Sequence, residues 1–380
     1  MDARADDMMQ VDTVSRADGA TIADPVPRSR NLSPYEFLPG WLIYTPVVVQ
    51  WIALGLWHRD LSLPTAANPA ITTGGLCGES KTAILDLADC GLPGGSACDW
   101  IAPYTTVVTG SDDLPRAASA MALAGLSLPL VLKPDIGCNG AGVRLVETEA
   151  ALAAALAAFP RGIKLMMQRL VAWEGEAGVF YIRHPHQAVG HITSLTLKHA
   201  PAVVGDGVST LRALILADAR HGRLAHLYLS RLADRLDWVP ARFQRVRLVF
   251  AGNHCKGSVF RNGAADITPA LTARIDAIAR ALPGFHFGRI DLRYRSLAEL
   301  RQGEAFSIIE INGVGSEATH IWDPDTTLRE VYAAQFRHYA AAFSIGAEMR
   351  RQGARTSGIA AMWRDWREEQ RLMDSYPPND

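Results

Sequence analysis

The chain has 380 residues and a mass of 41.2 kDa, which is long for one domain and suits two or three lobes that share interfaces. Its formal net charge is -1, and 48% apolar and 20% charged residues are an ordinary globular composition. These values exclude a mostly disordered chain and a protein that covers nucleic acid or anionic lipid. Five widely spaced cysteines without a CxxC pair indicate neither a disulfide framework nor a zinc site, so we expect a reducing cytoplasm.

The basic residues are unusual, because 33 of the 38 are arginine and only five are lysine. A compact ammonium is favoured over the broad guanidinium where a point charge must fit beside phosphate oxygens. Each lysine is therefore a candidate for a binding role, although a compositional bias that spared five surface lysines would produce the same count. The five are Lys81, Lys133, Lys164, Lys198 and Lys256.

The N-terminal segment 1–33 is polar, lacks the apolar centre of a signal peptide and predicts a disordered tail. The next segment, Gly40–Trp57, has no charged residue and is close to the shortest length that spans a bilayer. Pro46 and Gln50 interrupt it, and charged residues follow directly. Two interpretations stay open: peripheral contact with the inner face of a membrane, or a buried or interfacial helix of an N-terminal lobe.

The middle of the chain alternates between predicted strands and helices. LPLVLKP predicts a buried strand, GCNGAG a glycine-rich loop and VRLV a second strand, followed by a helix and the strands KLMMQRLV, EAGVFYIR and HITSLTLKH. Further on, RVRLVF, FHFGRIDLRYR and FSIIEIN predict strands, and the chain from about residue 327 predicts helices. This ββαβ order with an antiparallel continuation indicates a mixed α/β (α+β) fold, in which helices pack on largely antiparallel strands.

Strand alternation brings polar residues together on two of these strands. In GRIDLRY, Arg289 and Asp291 point away from the apolar face, and in SIIEIN we expect Ile309 and Ile311 on one face, with Glu310 and Asn312 on the other. The dozen residues between the strands permit a hairpin that joins the two polar faces. Carboxylate and amide oxygens are the ligands that Mg²⁺ prefers, so the pattern predicts a magnesium site rather than a solvated sheet face.

Phosphate binding is predicted by two glycine-rich segments that each contain a lysine. Lys133 ends a buried strand, and the glycines after it let backbone N–H groups approach an anion. Lys81 lies within the segment GLCGESKT and begins a predicted helix. That segment nearly matches a P-loop, but Ser80 occupies the place of the second glycine and no buried strand precedes it, so a P-loop kinase is the weaker interpretation.

In chain order, Lys81, the KP dipeptide with its glycine-rich loop, QRLVAWEGE, GRID and IIEING resemble the ATP-grasp superfamily of carboxylate-amine ligases. The resemblance covers roughly residues 67–324. APAVVGDGVSTLRALI is similar to a segment of cyanophycin synthetases and glutathione-forming ligases, whereas D-alanine-D-alanine ligases match mainly in GRID and EIN. The implied division is a tail at 1–33, an N-terminal lobe at 34–125, a small ATP lobe at 126–200, a catalytic lobe at 201–345 and a helical tail at 346–380.

The resemblance also implies roles for single residues. The nucleotide would contact Lys81, Lys133, Gly140 and Lys198, with Leu170 and Val171 offering backbone groups to the purine. Gln168 stands where many members carry an acid near the adenine, and either Glu176 or Glu174 would bind the ribose. Asp291, Glu310 and Asn312 would hold Mg²⁺ or Mn²⁺, and Arg289 would be catalytic, steadying the transferred phosphoryl group.

We therefore expect an ATP- and magnesium-dependent ligase that joins a small carboxylate to an amine, located in the cytoplasm, with no nucleic-acid partner and either monomeric or a homodimer. The alternative is a nucleotide-binding protein at a membrane without ligase turnover. Substrate contacts are expected from two loops beside the metal strands, which carry His254, Lys256, Arg261, Ser316, Glu317, Thr319, His320 and Asp323. His320 is expected to be a hydrogen-bonded structural residue.

Overall fold

The computed structural model describes residues 32–33, 35–36, 38–88, 97–250 and 257–377. Apart from two residues, the expected tail at 1–33 lies outside the described residues, as do His254 and Lys256. The helices are α1 Gly40–Trp57, α2 Lys81–Leu85, α3 Asp113–Leu123, α4 Glu149–Ala157, α5 Leu211–Ala217, α6 Ala225–Leu229, α7 Pro269–Arg280, α8 Leu297–Arg301, α9 Leu328–Arg351 and α10 Ile359–Ser375. The strands are β1 Tyr104–Val108, β2 Leu130–Pro134, β3 Arg144–Val146, β4 Lys164–Arg169, β5 Gly175–Ile182, β6 His191–His199, β7 Ala202–Val204, β8 Arg245–Arg247, β9 Val259–Asn262, β10 Phe287–Tyr294 and β11 Phe306–Asn312.

Two antiparallel sheets carry most of the strands. The first has the order β1-β4-β2-β3, and α3 and α4 pack on it around Leu132, Leu152 and Leu165. The second has the order β11-β10-β5-β6-β9 and is covered by α7, with Ile275, Phe285 and other side chains in its core. The predicted α/β class with antiparallel strands is confirmed.

The strand pairing cuts across the lobes drawn from the sequence. β1 falls in the expected N-terminal lobe but pairs with β4, from Tyr104 opposite Gln168 onward, and so belongs to the first sheet. β5 and β6 fall in the expected small ATP lobe, yet β5 lies between β10 and β6 in the second sheet. The difference arises because cross-strand hydrogen bonds, and not chain order, decide sheet membership. The other lobe boundaries remain predictions.

Local signals explain where several of the helices begin. The hydroxyl of Thr148 accepts from Ala151 N at the start of α4, and the hydroxyl of Thr210 accepts from Ala213 N at the start of α5. α9 opens with a capping box, in which Thr327 and Glu330 each bond the other's backbone N–H. These caps satisfy N–H groups that the first helical turn leaves without partners.

Helix α1 packs on the protein along one side only. Ile43 and Val47 are buried, and Trp51 meets Phe343 of α9 edge to face, with ring centroids 5.1 Å apart. The opposite side is exposed, including Trp41 and Trp57, which are 71% and 84% exposed. Among the described residues, α1 is the one helix long and apolar enough to cross a membrane by length and composition.

The cysteines differ from expectation at one position. Cys98 is disulfide-bonded, and its partner lies outside the described residues. Cys77 and Cys138 are free thiols. Wide spacing and the lack of a CxxC pair therefore do not exclude a disulfide in this chain.

Candidate active site

One cleft, with a cavity volume of about 540 Å³, collects the residues singled out in the sequence. Its walls come from both sheets, from the segment before α2 and from α10. The twelve predicted site residues that line it are Lys81, Lys133, Gly140, Gln168, Leu170, Val171, Glu176, Lys198, Arg289, Asp291, Glu310 and Asn312. Positions more than 200 residues apart in the chain thus share one surface.

The carboxylates lie where β10 and β11 pair. Asp291 stands directly opposite Glu310, and Arg289 stands opposite Asn312. The amide of Asn312 donates to Asp291 Oδ2 at 3.2 Å, and the side chain of Asp291 is only 4% exposed. The predicted hairpin therefore places three oxygen-bearing side chains side by side at the floor of the cleft.

The alternation predicted for β11 fails at one residue. The pairing register shifts between Asp291 and Leu292, so that Leu292 faces Ile308 and Ile309 is left as an extra residue. As a result Ile308 and Ile311 are buried in the core, while Ile309 lines the cleft beside Glu310. The prediction that Ile309 and Ile311 share a face is wrong, because a bulge interrupts the period of two.

Asp291 is surrounded by cations. Arg289 Nε lies 3.1 Å from each carboxylate oxygen of Asp291, and Lys198 Nζ lies 2.8 Å from Oδ1. Burial by itself would raise the pKa of Asp291, but Arg289 and Lys198 outweigh burial and hold that pKa well below its usual range. The same contacts outweigh burial at Lys198 and Arg289 and raise both pKa values. All three groups are therefore charged at neutral pH.

The structure distinguishes between the two glutamates considered for the ribose contact. Glu176 lines the cleft, with Oε1 3.4 Å from Lys198 Nζ and Oε2 3.4 Å from Arg293 Nη2. Glu174 has an 81% exposed side chain and pairs with Arg245 at 3.8 Å. Of the two glutamates, Glu176 is thus the one that belongs to the cleft.

Both phosphate-candidate lysines contact backbone carbonyls in the cleft. Lys133 Nζ donates to Ile309 O at 3.0 Å, and burial lowers its pKa to about 8. Lys81 follows Ser80, which caps α2, and donates to Gly137 O at the base of the glycine-rich loop. The segments 63–66 and 72–75 before it are 3₁₀ turns and not a strand, so the P-loop interpretation loses its structural context.

The purine-side residues follow β4. Gln168 is 1% exposed, and its amide donates to Ala102 O at 3.3 Å, so the backbone already holds it. Leu170 and Val171 come next along the cleft, and Val171 O lies 3.5 Å from Arg293 Nη1. Arg293 also donates to Trp173 O at 3.0 Å and so ties the 171–173 segment to β10.

Sequence reasoning missed the contribution of α10. Trp366, Glu369 and Gln370 line the cleft, and Glu369 Oε2 accepts from Gly78 N at 3.1 Å. Beside them, Glu79 Oε2 is buried without a hydrogen-bond partner among the described residues. Burial, reinforced by the charge of Glu369, raises the pKa of Glu79. An amphipathic C-terminal helix carries no signal for the surface on which it docks, so only the structure reveals this wall.

The loop after β11 was expected to contact substrate. Ser316, Glu317 and Thr319 line the cleft, and Glu317 O accepts from Arg289 Nη1 at 3.1 Å. His320 Nδ1 instead lies 2.7 Å from Ser194 Oγ, and burial lowers its pKa, in keeping with a structural role. Arg261 and Asp323 form an ion pair at 3.5 Å and are not among the residues that line the cleft.

No family model matches the sequence, and no curated protein matches it. The solved structures that it resembles include a bifunctional glutathione synthetase from Pasteurella multocida, with 18% identity and a TM-score of 0.36 over 68% of this chain and 36% of the other. They also include the VanG D-Ala:D-Ser ligase from Enterococcus faecalis, with 15% identity and a TM-score of 0.40 over 70% of this chain and 62% of the other. A D-alanine–D-alanine ligase from Bacillus anthracis has 12% identity and a TM-score of 0.40 over 75% of this chain and 70% of the other.

The chain spans less than two thirds of the length of the first two of these proteins. With TM-scores of 0.40 or less, the likeness assigns no activity or substrate to this chain.

Proposed function

We propose that the protein is an ATP- and magnesium-dependent ligase that joins a carboxylate to an amine through an acyl phosphate. The observation that carries the proposal is the convergence of three oxygen-donor side chains with Arg289, Lys133 and Lys198 in one cleft. Such a set suits the binding of a triphosphate and its metal ion and the neutralisation of charge during phosphoryl transfer.

The donor set fits a hard divalent cation. Asp291, Glu310 and Asn312 offer carboxylate and amide oxygens from two adjacent strands, and the low pKa of Asp291 keeps it ionised. Mn²⁺ accepts similar ligands. When bound, the ion would supply positive charge between phosphate oxygens.

The same cleft offers a distinct place for each part of a nucleotide. Lys133 and Lys81 reach into it beside the glycine-rich loop of Gly140, where they suit phosphates. The backbone at 170–171 suits a purine edge, and Glu176 suits ribose hydroxyls. Lys198, held between Glu176 and Asp291, suits the distal phosphates.

The chemistry requires two stages because a carboxylate is a poor electrophile. Its oxygen first takes the terminal phosphoryl group of ATP, and the amine then attacks the acyl carbon and displaces phosphate. Both steps gather negative charge, which the fork of Arg289 is placed to stabilise, since Asp291 and Glu317 O hold it towards the cleft. The backbone N–H groups of the loop at Gly315 are already engaged, because Val314, Gly315 and Ser316 donate to Gly74 O, Gly75 O and Gly313 O.

We also propose that the exposed side of α1 contacts the surface of a membrane. Val48, Val49 and Ile52 are exposed between the two terminal tryptophans, in a helix without a charged residue. This feature would equally suit the alternative function, a nucleotide-binding membrane-peripheral protein without turnover. A homodimer that covers the same face is the competing explanation.

The test is ADP release from ATP with a panel of small carboxylates and amines, in Mg²⁺ and in EDTA. We expect ADP release that depends on one carboxylate and one amine together. We also expect ATP to raise the melting temperature clearly with Mg²⁺ and only modestly in EDTA, because metal and phosphates complete each other's coordination. Stabilisation that is equal in EDTA would contradict the metal site, and stabilisation without any turnover would favour the alternative.

A further inference from the structure

A second group of ligand-type side chains lies away from the cleft, where the turn after β5 meets α9. His184 Nδ1 is 2.9 Å from Glu348 Oε1, and His186 Nδ1 is 2.7 Å from Glu348 Oε2. One ligand atom from each side chain lies within 4.8 Å of the other two. None of the three residues lines the cleft, so this group is independent of the proposed function.

The arrangement meets the geometric demands of a small metal site. Two imidazoles that flank Pro185 both turn the same nitrogen towards one carboxylate, with ring centroids 5.4 Å apart. Metal–ligand bonds of about 2.0–2.2 Å in a tetrahedron put neighbouring ligand atoms roughly 3.3 Å apart. The two nitrogen–oxygen separations, 2.9 Å and 2.7 Å, are shorter than this value, so an ion needs a small outward shift of Glu348 from each imidazole.

We propose that His184, His186 and Glu348 bind a Zn²⁺-type divalent ion. Imidazole nitrogen favours zinc and its first-row neighbours, whereas Mg²⁺ prefers an all-oxygen shell. The side chain of His186 is 65% exposed, so water can complete the coordination. The ion would tie the turn between β5 and β6 to α9, across a sequence separation of 164 residues between His184 and Glu348.

The competing explanation is that Glu348 simply accepts hydrogen bonds from both histidines. The two explanations differ in what Zn²⁺ does to the full-length, untagged protein after it has been stripped with EDTA and desalted. A metal site predicts one equivalent of Zn²⁺ bound by calorimetry, a higher melting temperature with Zn²⁺, and no loss of this Zn²⁺ binding in excess Mg²⁺. Hydrogen bonding alone predicts no stoichiometric Zn²⁺ binding, and that result would overturn the proposal.

Variants locate the site. His184→Ala and His186→Ala should each weaken Zn²⁺ binding at least about tenfold, the scale observed when a residue that supports a metal ligand is lost. Glu348→Gln keeps the shape of the side chain and should weaken Zn²⁺ binding similarly. His226→Ala, which removes an exposed histidine on α6, is the matched control and should leave binding unchanged. Equal losses in His226→Ala, or undiminished binding in the other three, would overturn the proposal.

X-ray absorption on the wild-type zinc complex tests the ligands without any variant, and so covers the case in which a variant fails to fold. We expect two imidazole nitrogens with oxygen neighbours. Sulfur neighbours would place the ion at a cysteine and contradict the assignment, as would an all-oxygen shell.

Discussion

Lys81 Nζ lies 3.6 Å from Glu310 Oε1, which joins the start of α2 to the metal-type carboxylates of β11. The two residues are far apart in the chain, and each was singled out in the sequence for a different reason: Lys81 for phosphate and Glu310 for metal. Because the two side chains are in contact, a charged group that binds next to one of them also interacts with the other. Lys81 provides a positive charge next to Glu310.

Glu310→Gln tests the metal ligand. The amide keeps the shape of the side chain but removes the charge, so we expect ADP release to fall at least about 100-fold, the usual scale for one lost electrostatic contact to the reacting groups. The melting temperature without ligand should change little, because Glu310 is partly exposed. Glu304→Gln, an exposed position before the same strand, is the control and should keep full activity. Full turnover in Glu310→Gln would remove Glu310 from the site.

Arg289→Lys tests the transition-state contact. Lysine keeps one positive charge but cannot contact Asp291, Glu317 O and a phosphoryl group together, so turnover should fall much further than ATP affinity. Arg289→Ala should behave similarly but with lower stability, because Asp291 loses a buried partner. Steady-state kinetics with ATP-binding calorimetry separates the two quantities. Equal losses of affinity and turnover would make Arg289 a ground-state binding residue.

Lys133 predicts how ATP affinity depends on pH. Burial lowers the pKa of its ammonium to about 8 in the free protein, and bound phosphate favours the charged form. Affinity should therefore be nearly constant below pH 7 and weaken as pH rises through 8, by up to about tenfold per pH unit. Lys133→Met should bind ATP weakly and without this trend. Lys164→Met, which removes a partly exposed lysine paired with Asp135, should keep the trend. A wild-type affinity that is flat from pH 7 to pH 9 would contradict the phosphate role.

The raised pKa of Glu79 predicts that removing its carboxylate stabilises the folded protein, and that this gain in stability over wild type grows as pH rises. Its raised pKa means that the folded protein holds the proton more tightly than the unfolded chain does. The stability gained in this way is fully present below about pH 4.5 and is lost as pH rises through the raised pKa. Glu79→Gln removes the buried charge, so in urea unfolding it should be more stable than wild type at pH 8 and nearly equal to it at pH 4.5. Glu368→Gln, on the exposed side of α10, should show no such difference. A destabilised Glu79→Gln variant at pH 8 would show that its charge has a partner.

Strand periodicity was sufficient to predict that the polar side chains of β10 and β11 lie together at the floor of the cleft. Alternation along β10 placed Arg289 and Asp291 on one face, and their pairing with Glu310 and Asn312 needed only a hairpin. The bulge at Ile309 could not be predicted, because it depends on how two strands pair and not on either strand alone.

The remainder of the site depends on long-range packing. Glu369 and Trp366 reach the cleft because α10 docks on the glycine-rich loop, where Tyr376 Oη donates to Ile136 O at 2.9 Å. Likewise the hydrophobic pattern of α1 does not indicate which side of the helix is buried, because nearly all of its residues are apolar. In both helices the docking surface is decided by partners more than 200 residues away in sequence.

The neighbours Val47 and Val48 on α1 provide the test of membrane contact. Val47 is 5% exposed and packs on the protein, whereas Val48 is 53% exposed. Val47→Asp should therefore fail to fold, because it buries an unpaired charge. Val48→Asp should stay folded, with a free energy of unfolding within about 0.5 kcal/mol of wild type. If the exposed face contacts lipid, wild type should sediment with phosphatidylcholine–phosphatidylglycerol vesicles and Val48→Asp should remain in the supernatant. Sedimentation of the wild type without vesicles would instead assign the face to self-association. A wild-type dimer that Val48→Asp converts to a monomer would lead to the same conclusion. A wild type that stays in the supernatant when vesicles are present would contradict membrane contact.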